Sequence, residues 1–88
     1  MKNKVHNFSA GPSILPNIVF EQASSAITDF NNSGLSILEI SHRSKDFIEV
    51  LEEARYISLD LASLNKDNYS CLFLQGGASM QFLMVAYN

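Results

Sequence analysis

The stretch from Tyr69 to Leu74, YSCLFL, constrains the fold more than any other part of the chain. Apolar residues follow one another in it, which is typical of a β-strand that is covered on both faces. Such a strand needs parallel neighbours and helices on each side, and a chain of 88 residues with one run of this kind does not supply them. The sequence therefore predicts an α/β fold of which residues 1–88 form an incomplete domain.

Two amphipathic helices are predicted before this buried strand. The first begins at Pro16, a residue suited to the first turn of a helix, and its apolar residues from Ile18 to Phe30 recur at helical spacing. It should stop near residues 31–34, where Gly34 can adopt the left-handed conformation that closes a helix.

The second helix is predicted to start after Ser44, which can act as its N-cap, and its apolar residues recur at helical spacing from Phe47 to Leu64. Residues 35–40, which lie between the two helices, are predicted to be extended. A final helix is predicted over residues 79–87, after a turn made by two successive glycines.

Composition and charge exclude several classes of partner. Hydrophobic residues make up 47% of the chain and charged residues 17%, so the chain is built to fold. Its net charge is −3 and its 6 Lys and Arg residues form no cluster, which argues against nucleic acid or an anionic membrane and favours a small polar metabolite. No signal peptide or membrane span is visible in the sequence. Cys71 lies in an apolar run, as a reduced cysteine of a cytoplasmic protein would, and with His6 it is assigned to structure, so no metal site is predicted.

The glycine pair, Gly76 and Gly77, is the first candidate site. Backbone N–H groups at the start of a helix are unpaired and carry the positive end of the helix dipole, so a phosphate fits there. Ala78 is small enough to let an anion approach, and Ser79 adds a hydroxyl donor. The motif is neither a P-loop nor a dinucleotide fingerprint. From this motif alone, a plain strand-to-helix turn without a ligand is the preferred interpretation.

The second candidate site is the loop before the second helix. Arg43 could bind a carboxylate through two parallel hydrogen bonds, and His42 could add a donor. Without further support, both are interpreted as ordinary exposed loop residues. Ser41 and His42 are not a catalytic pair, because adjacent residues of an extended segment point in opposite directions.

Three motifs resemble the opening of phosphoserine aminotransferase, a member of the class-V aminotransferase family. They are NFSAGPSILP at 7–16, EISHRS at 39–44 and NYSCLFLQGGASMQF at 68–82, in the order and at the separations usual in that family. The resemblance implies the N-terminal segment of the large domain of a pyridoxal-5′-phosphate enzyme of fold type I. It also implies a cytoplasmic homodimer that interconverts phosphoserine and 2-oxoglutarate with 3-phosphohydroxypyruvate and glutamate in serine biosynthesis, and acts on a related substrate of pyridoxine biosynthesis.

The resemblance also assigns roles to individual residues. The glycine-rich segment becomes the loop that binds the cofactor phosphate, through Gly77, Ala78 and Ser79. Arg43 becomes the residue that binds a substrate carboxylate, with His42 as its helper, and Ser9 lines the substrate side. The residues that bind the substrate are thus Ser9, His42 and Arg43. Some relatives have an arginine where this chain has Ser79, so here the backbone should meet more of the phosphate charge.

The resemblance assigns no catalytic residue to this chain. Transamination needs a lysine that holds the cofactor as a Schiff base, and none of the lysines lies in the matching part of the family pattern. They are Lys2, Lys4, Lys45 and Lys66. The chain has no tryptophan to stack on the cofactor ring, and the aspartate that pairs with the pyridine nitrogen is expected beyond its end. The chain alone is therefore expected to be inactive. The alternative is a non-catalytic interaction or phosphometabolite-binding module of the same family, which should fold alone and melt cooperatively.

Overall fold

A computed structural model describes residues 3–88 of the chain. The chain divides into two compact units, Met1–Ser44 and Lys45–Asn88, and each is described by itself. Lys2 lies outside the described residues.

The main helix of the first unit, α1, spans Asn17–Thr28. Pro16 takes the position before it with φ −57° and ψ 146°, so the first predicted helix is confirmed. The helix ends earlier than predicted, because Asp29 is extended (φ −159°) and breaks the helical path. Gly34 does adopt a left-handed conformation (φ +78°), but it shapes the following turn, where its N–H donates to Asp29 Oδ1 at 2.7 Å.

Residues 35–40 were predicted to be extended, and this is wrong. A 3₁₀ helix spans Ile37–Glu39 and contacts α1. It forms because Ser36 and Glu39 make a reciprocal cap: Ser36 Oγ accepts the Leu38 N–H at 3.1 Å, and Glu39 Oε1 accepts the Ser36 N–H at 3.0 Å. The Ser-x-x-Glu spacing that produces this cap is legible in the sequence.

The second unit begins with α2, Lys45–Leu61, which confirms the second predicted helix. It ends before Leu64 because Ser63 adopts a left-handed conformation with φ +58°. The Ser63 N–H donates to the Asp60 carbonyl at 3.0 Å, and the Leu64 N–H donates to the Leu59 carbonyl at 2.9 Å. This is the Schellman arrangement that terminates helices, formed here by a residue other than glycine.

The predicted buried strand at Tyr69 to Leu74 is wrong in this structure. Over residues 3–88 there is no β-strand. Leu72 is 69% exposed and Leu74 is 66% exposed. A strand exists only when a neighbour pairs with its N–H and C=O groups, and no part of the described chain provides that neighbour.

The last helix, α3, spans Ala78–Tyr87 and confirms the predicted final helix. It contains no charged residue, yet Phe82 is 81% exposed and Tyr87 is 84% exposed. A helix that is apolar on all sides belongs in the interior of a larger protein. The described part of the chain shows no buried side chain anywhere, so it has no core of its own. No helix among these residues is both long and apolar enough to pass through a membrane.

Candidate functional site

The two positions before α3 are occupied by glycine for different structural reasons. Gly76 has φ +125°, a backbone conformation that other residues rarely adopt. A Cβ added there would lie 3.4 Å from Gln81 Nε2, which is an ordinary contact. The backbone angle, and not lack of space, therefore requires glycine at position 76.

Gly77 is not needed for the turn. Its φ of −80° and ψ of 177° are open to any residue, and it precedes the first residue of α3. A Cβ added to Gly77 would meet no atom within 4 Å. The space in front of Gly77 is thus open to a ligand.

The N–H groups at the start of α3 are open as well. Gly77 makes no side-chain cap, and the first N–H that bonds back is that of Gln81, which donates to the Gly77 carbonyl at 3.1 Å. In the described structure, no hydrogen bond outside the helix uses the N–H groups of Ala78, Ser79 or Met80. These donors and the positive end of the helix dipole can act together on an anion.

The side chain of Gln81 stabilises this turn. Its Nε2 donates to the Gln75 carbonyl at 3.2 Å, which joins the chain before the glycines to the first turn of α3. No short sequence motif marks a hydrogen bond back across a turn, so the role of Gln81 is visible only in the structure.

A second turn carries His42 and Arg43, immediately before α2. The Arg43 N–H donates to Ser41 Oγ at 3.2 Å. The Ser41 carbonyl accepts the Ser44 N–H at 3.0 Å and the Ser44 hydroxyl at 2.7 Å. His42 and Arg43 are exposed, and the ion pairs of the described residues involve Lys45 and Arg55 but not Arg43. The guanidinium is therefore available to a ligand.

Ser9 lies in a turn that the side chain of Asn7 organises. Asn7 Oδ1 accepts the Ser9 N–H at 2.9 Å, and Asn7 Nδ2 donates to the Pro12 carbonyl at 2.9 Å. Gly11, with φ +87°, makes the sharp bend between them. Ser9 is exposed. Asn-x-Ser is a recognisable pattern for an Asx turn, so this turn is legible in the sequence.

The predicted site residues fall into two groups. Gly77, Ala78 and Ser79 are adjacent at the start of α3 in the second unit. His42 and Arg43 share one turn of the first unit, and Ser9 lies in another turn of that unit. Among residues 3–88, no group of three or more His, Cys, Asp or Glu side chains could hold a metal ion.

Comparison with known proteins tests the family resemblance. No protein-family model matches the chain. Phosphoserine aminotransferase of Flavobacterium johnsoniae is 65% identical to it over 85 residues, which cover 97% of this chain and 24% of that enzyme. The Bacteroides fragilis enzyme is 59% identical over the same share of both chains.

The resemblance to phosphoserine aminotransferase is confirmed. Solved phosphoserine aminotransferases also match in structure. The enzyme of Trichomonas vaginalis, solved with pyridoxal phosphate bound, has a TM-score of 0.83 and 39% identity, over 97% of this chain and 24% of that one. The enzyme of Bacillus circulans subsp. alkalophilus has a TM-score of 0.81 and 41% identity, over 93% and 22%. The chain thus spans about a quarter of the length of the phosphoserine aminotransferases that it matches.

Proposed function

We propose that this chain is one segment of a pyridoxal-phosphate-dependent phosphoserine aminotransferase, and that it supplies part of the cofactor site and part of the substrate site. The proposed reaction transfers the amino group of phosphoserine to 2-oxoglutarate, as a step of serine biosynthesis. Related phosphorylated substrates of pyridoxine biosynthesis are proposed as well. The segment would belong to the large domain of a cytoplasmic homodimer.

The start of α3 carries this proposal. Its residues fit the cofactor phosphate: Gly77 leaves open space, and the N–H groups of Ala78, Ser79 and Met80 are free of bonds outside the helix in the described structure. Because this chain has a serine at position 79, these backbone donors would hold most of the phosphate charge, with the Ser79 hydroxyl as a further donor. When bound, pyridoxal phosphate supplies the electron sink that allows an amino group to move between an amino acid and a keto acid.

The turn at residues 41–44 supplies the substrate side of the proposal. Arg43 would bind a substrate carboxylate in the two-pronged geometry that a guanidinium allows, and His42 would donate a hydrogen bond to the acidic group of the substrate. Ser9 would line the same side. These residues bind and orient the substrate, and none of them is assigned a proton-transfer role.

The exposed apolar surface disfavours the alternative of a non-catalytic module that folds alone. In the part of the chain that the structure describes, no side chain is buried, and Phe82, Val85 and Tyr87 of α3 are each more than 70% exposed, at 81%, 73% and 84%. A module that folds alone must bury its apolar residues.

The test compares this chain with a full-length protein, meaning a protein that joins this segment to the remaining part of the relatives' length. A suitable full-length protein is a chimera in which this segment replaces the matching part of the Flavobacterium johnsoniae enzyme. Both are incubated with pyridoxal phosphate, phosphoserine and 2-oxoglutarate, and glutamate is measured. We expect turnover by the full-length protein and none by the 88-residue chain. An inactive full-length protein that retains its fold by circular dichroism would contradict the proposed reaction. Sustained turnover by the short chain would show that this segment alone performs it.

A further inference from the structure

We propose that Ser41 is a positioning residue for Arg43, and that its hydroxyl holds the arginine backbone where the guanidinium can reach a substrate carboxylate. This inference rests on the proposed function, because it takes Arg43 as the residue that binds the carboxylate.

The hydrogen bonds of the turn support this role. Ser41 uses two different acceptors: its Oγ accepts the Arg43 N–H at 3.2 Å, and its carbonyl accepts the N–H and hydroxyl of Ser44 at 3.0 and 2.7 Å. Ser44 is the residue immediately before α2. One residue therefore connects the backbone of Arg43 to that of Ser44.

This connection matters because an arginine side chain is long and has several rotatable bonds. The guanidinium has a defined position only if the Cα of the arginine is held in place, because every additional backbone conformation enlarges the volume that the guanidinium samples. His42 and Arg43 are exposed among the described residues, so no packing within this segment holds them. Among the contacts described above, the hydrogen bonds of Ser41 are the ones that can hold the backbone of Arg43 in place.

The experiment compares two substitutions of nearly equal shape in the full-length holoenzyme. Ser41→Thr keeps an oxygen that can accept the Arg43 N–H, whereas Ser41→Val replaces that oxygen with a methyl group. Loss of one hydrogen bond of this kind corresponds to roughly a three- to tenfold change in equilibrium. We expect Ser41→Val to raise the KM for phosphoserine by roughly three- to tenfold relative to Ser41→Thr, with kcat within about twofold. Such a split is the pattern for a residue that affects substrate binding and not the chemical step.

Ser24→Ala serves as the matched control. Ser24 lies within α1, and its hydroxyl makes no hydrogen bond among those of the described residues. The control should leave both kinetic constants unchanged. The cofactor absorbance of every variant reports whether the holoenzyme has assembled, so a variant that merely misfolds is recognised.

A double-mutant cycle tests whether Ser41 acts through Arg43. In an Arg43→Ala background, the difference between the Thr and Val variants should disappear, because the positioned group is gone. A difference of the same size in that background would overturn the inference, as would equal KM values for the two variants in the Arg43 protein. A wild-type full-length protein without transaminase activity would refute the proposed function and this inference together. An active wild-type protein whose variants give either of those results would refute the inference alone, so the two failures are distinguishable.

Discussion

The two turns that precede α2 and α3 are built in opposite ways. Before α2, the turn satisfies two of its own donors: Ser41 accepts the N–H groups of Arg43 and Ser44, and Asp46 places a negative charge in the first turn of the helix. Before α3, no side chain caps the helix, and its first turn has no acidic residue. The turn before α2 thus bonds N–H groups within itself and presents side chains, whereas the start of α3 presents backbone donors.

This difference separates the two halves of the proposed site. In the turn at residues 41–44, the N–H groups of Arg43 and Ser44 are already bonded, so the side chains are the groups that it offers to a ligand, and these suit a carboxylate. The turn at Gly76 and Gly77 is open in its backbone, so it suits a multiply charged anion such as a phosphate. The contrast predicts which helix start should respond to an added or removed negative charge.

The largest effect is expected from a negative charge at the open helix start. Ser79→Asp would place a carboxylate next to the donors that we propose bind the cofactor phosphate. Repulsion between two negative groups about 4 Å apart is strong at the effective dielectric of a protein surface, so we expect pyridoxal phosphate to bind on the order of 100-fold more weakly to the full-length protein. Titration of the apoenzyme, followed by cofactor absorbance, measures this change.

Ser79→Asn is the control for that substitution. It has nearly the same shape without the charge, so it should weaken cofactor binding far less. Equal losses for the Asp and Asn variants would show that the shape of residue 79, and not the charge at the helix start, determines affinity.

The two adjacent glycines should separate stability from binding. Gly76→Ala forces a side chain into a backbone with φ +125°, and strain of this kind costs about 1–3 kcal/mol in the free energy of unfolding. Gly77→Ala leaves an allowed conformation and fills the open space, so it should weaken cofactor binding by roughly tenfold with little change in stability. Denaturant unfolding of the apoenzyme and cofactor titration measure the two effects. If Gly77→Ala binds the cofactor normally, the ligand does not occupy the space in front of that residue.

The sequence predicted local features well. Pro16 and the periodic apolar residues located α1 and α2, and the glycine pair located the start of α3, because capping and periodicity depend on neighbouring residues. The 3₁₀ helix could also have been predicted, since Ser36 and Glu39 have the spacing of a capping box.

The buried strand could not be settled from local sequence. The apolar residues from Tyr69 to Leu74 indicate that both faces of this stretch should be covered, but whether a strand forms depends on a partner from elsewhere in a protein. The sequence supplied candidate residue types for the site, but not the contacts that support them. Asn7, Ser41 and Gln81 stabilise the three turns through hydrogen bonds, and such bonds follow from the folded backbone.

The smallest effect is expected at the start of α2, where Asp46 already places a negative charge. Asp46→Asn removes the negative charge from the first turn of α2, where it interacts favourably with the helix dipole, so we expect a loss of about 0.3–1 kcal/mol in the free energy of unfolding. Cofactor affinity should not change. Asp60→Asn is the matched control, because Asp60 lies in the last turn of α2, where a negative charge is unfavourable, and its removal should be neutral or slightly stabilising. The urea unfolding midpoints of the two variants measure both effects. If Asp60→Asn destabilises the protein as much as Asp46→Asn, the charge does not act through the dipole of α2. The contrast between the two helix starts then rests on hydrogen bonds alone.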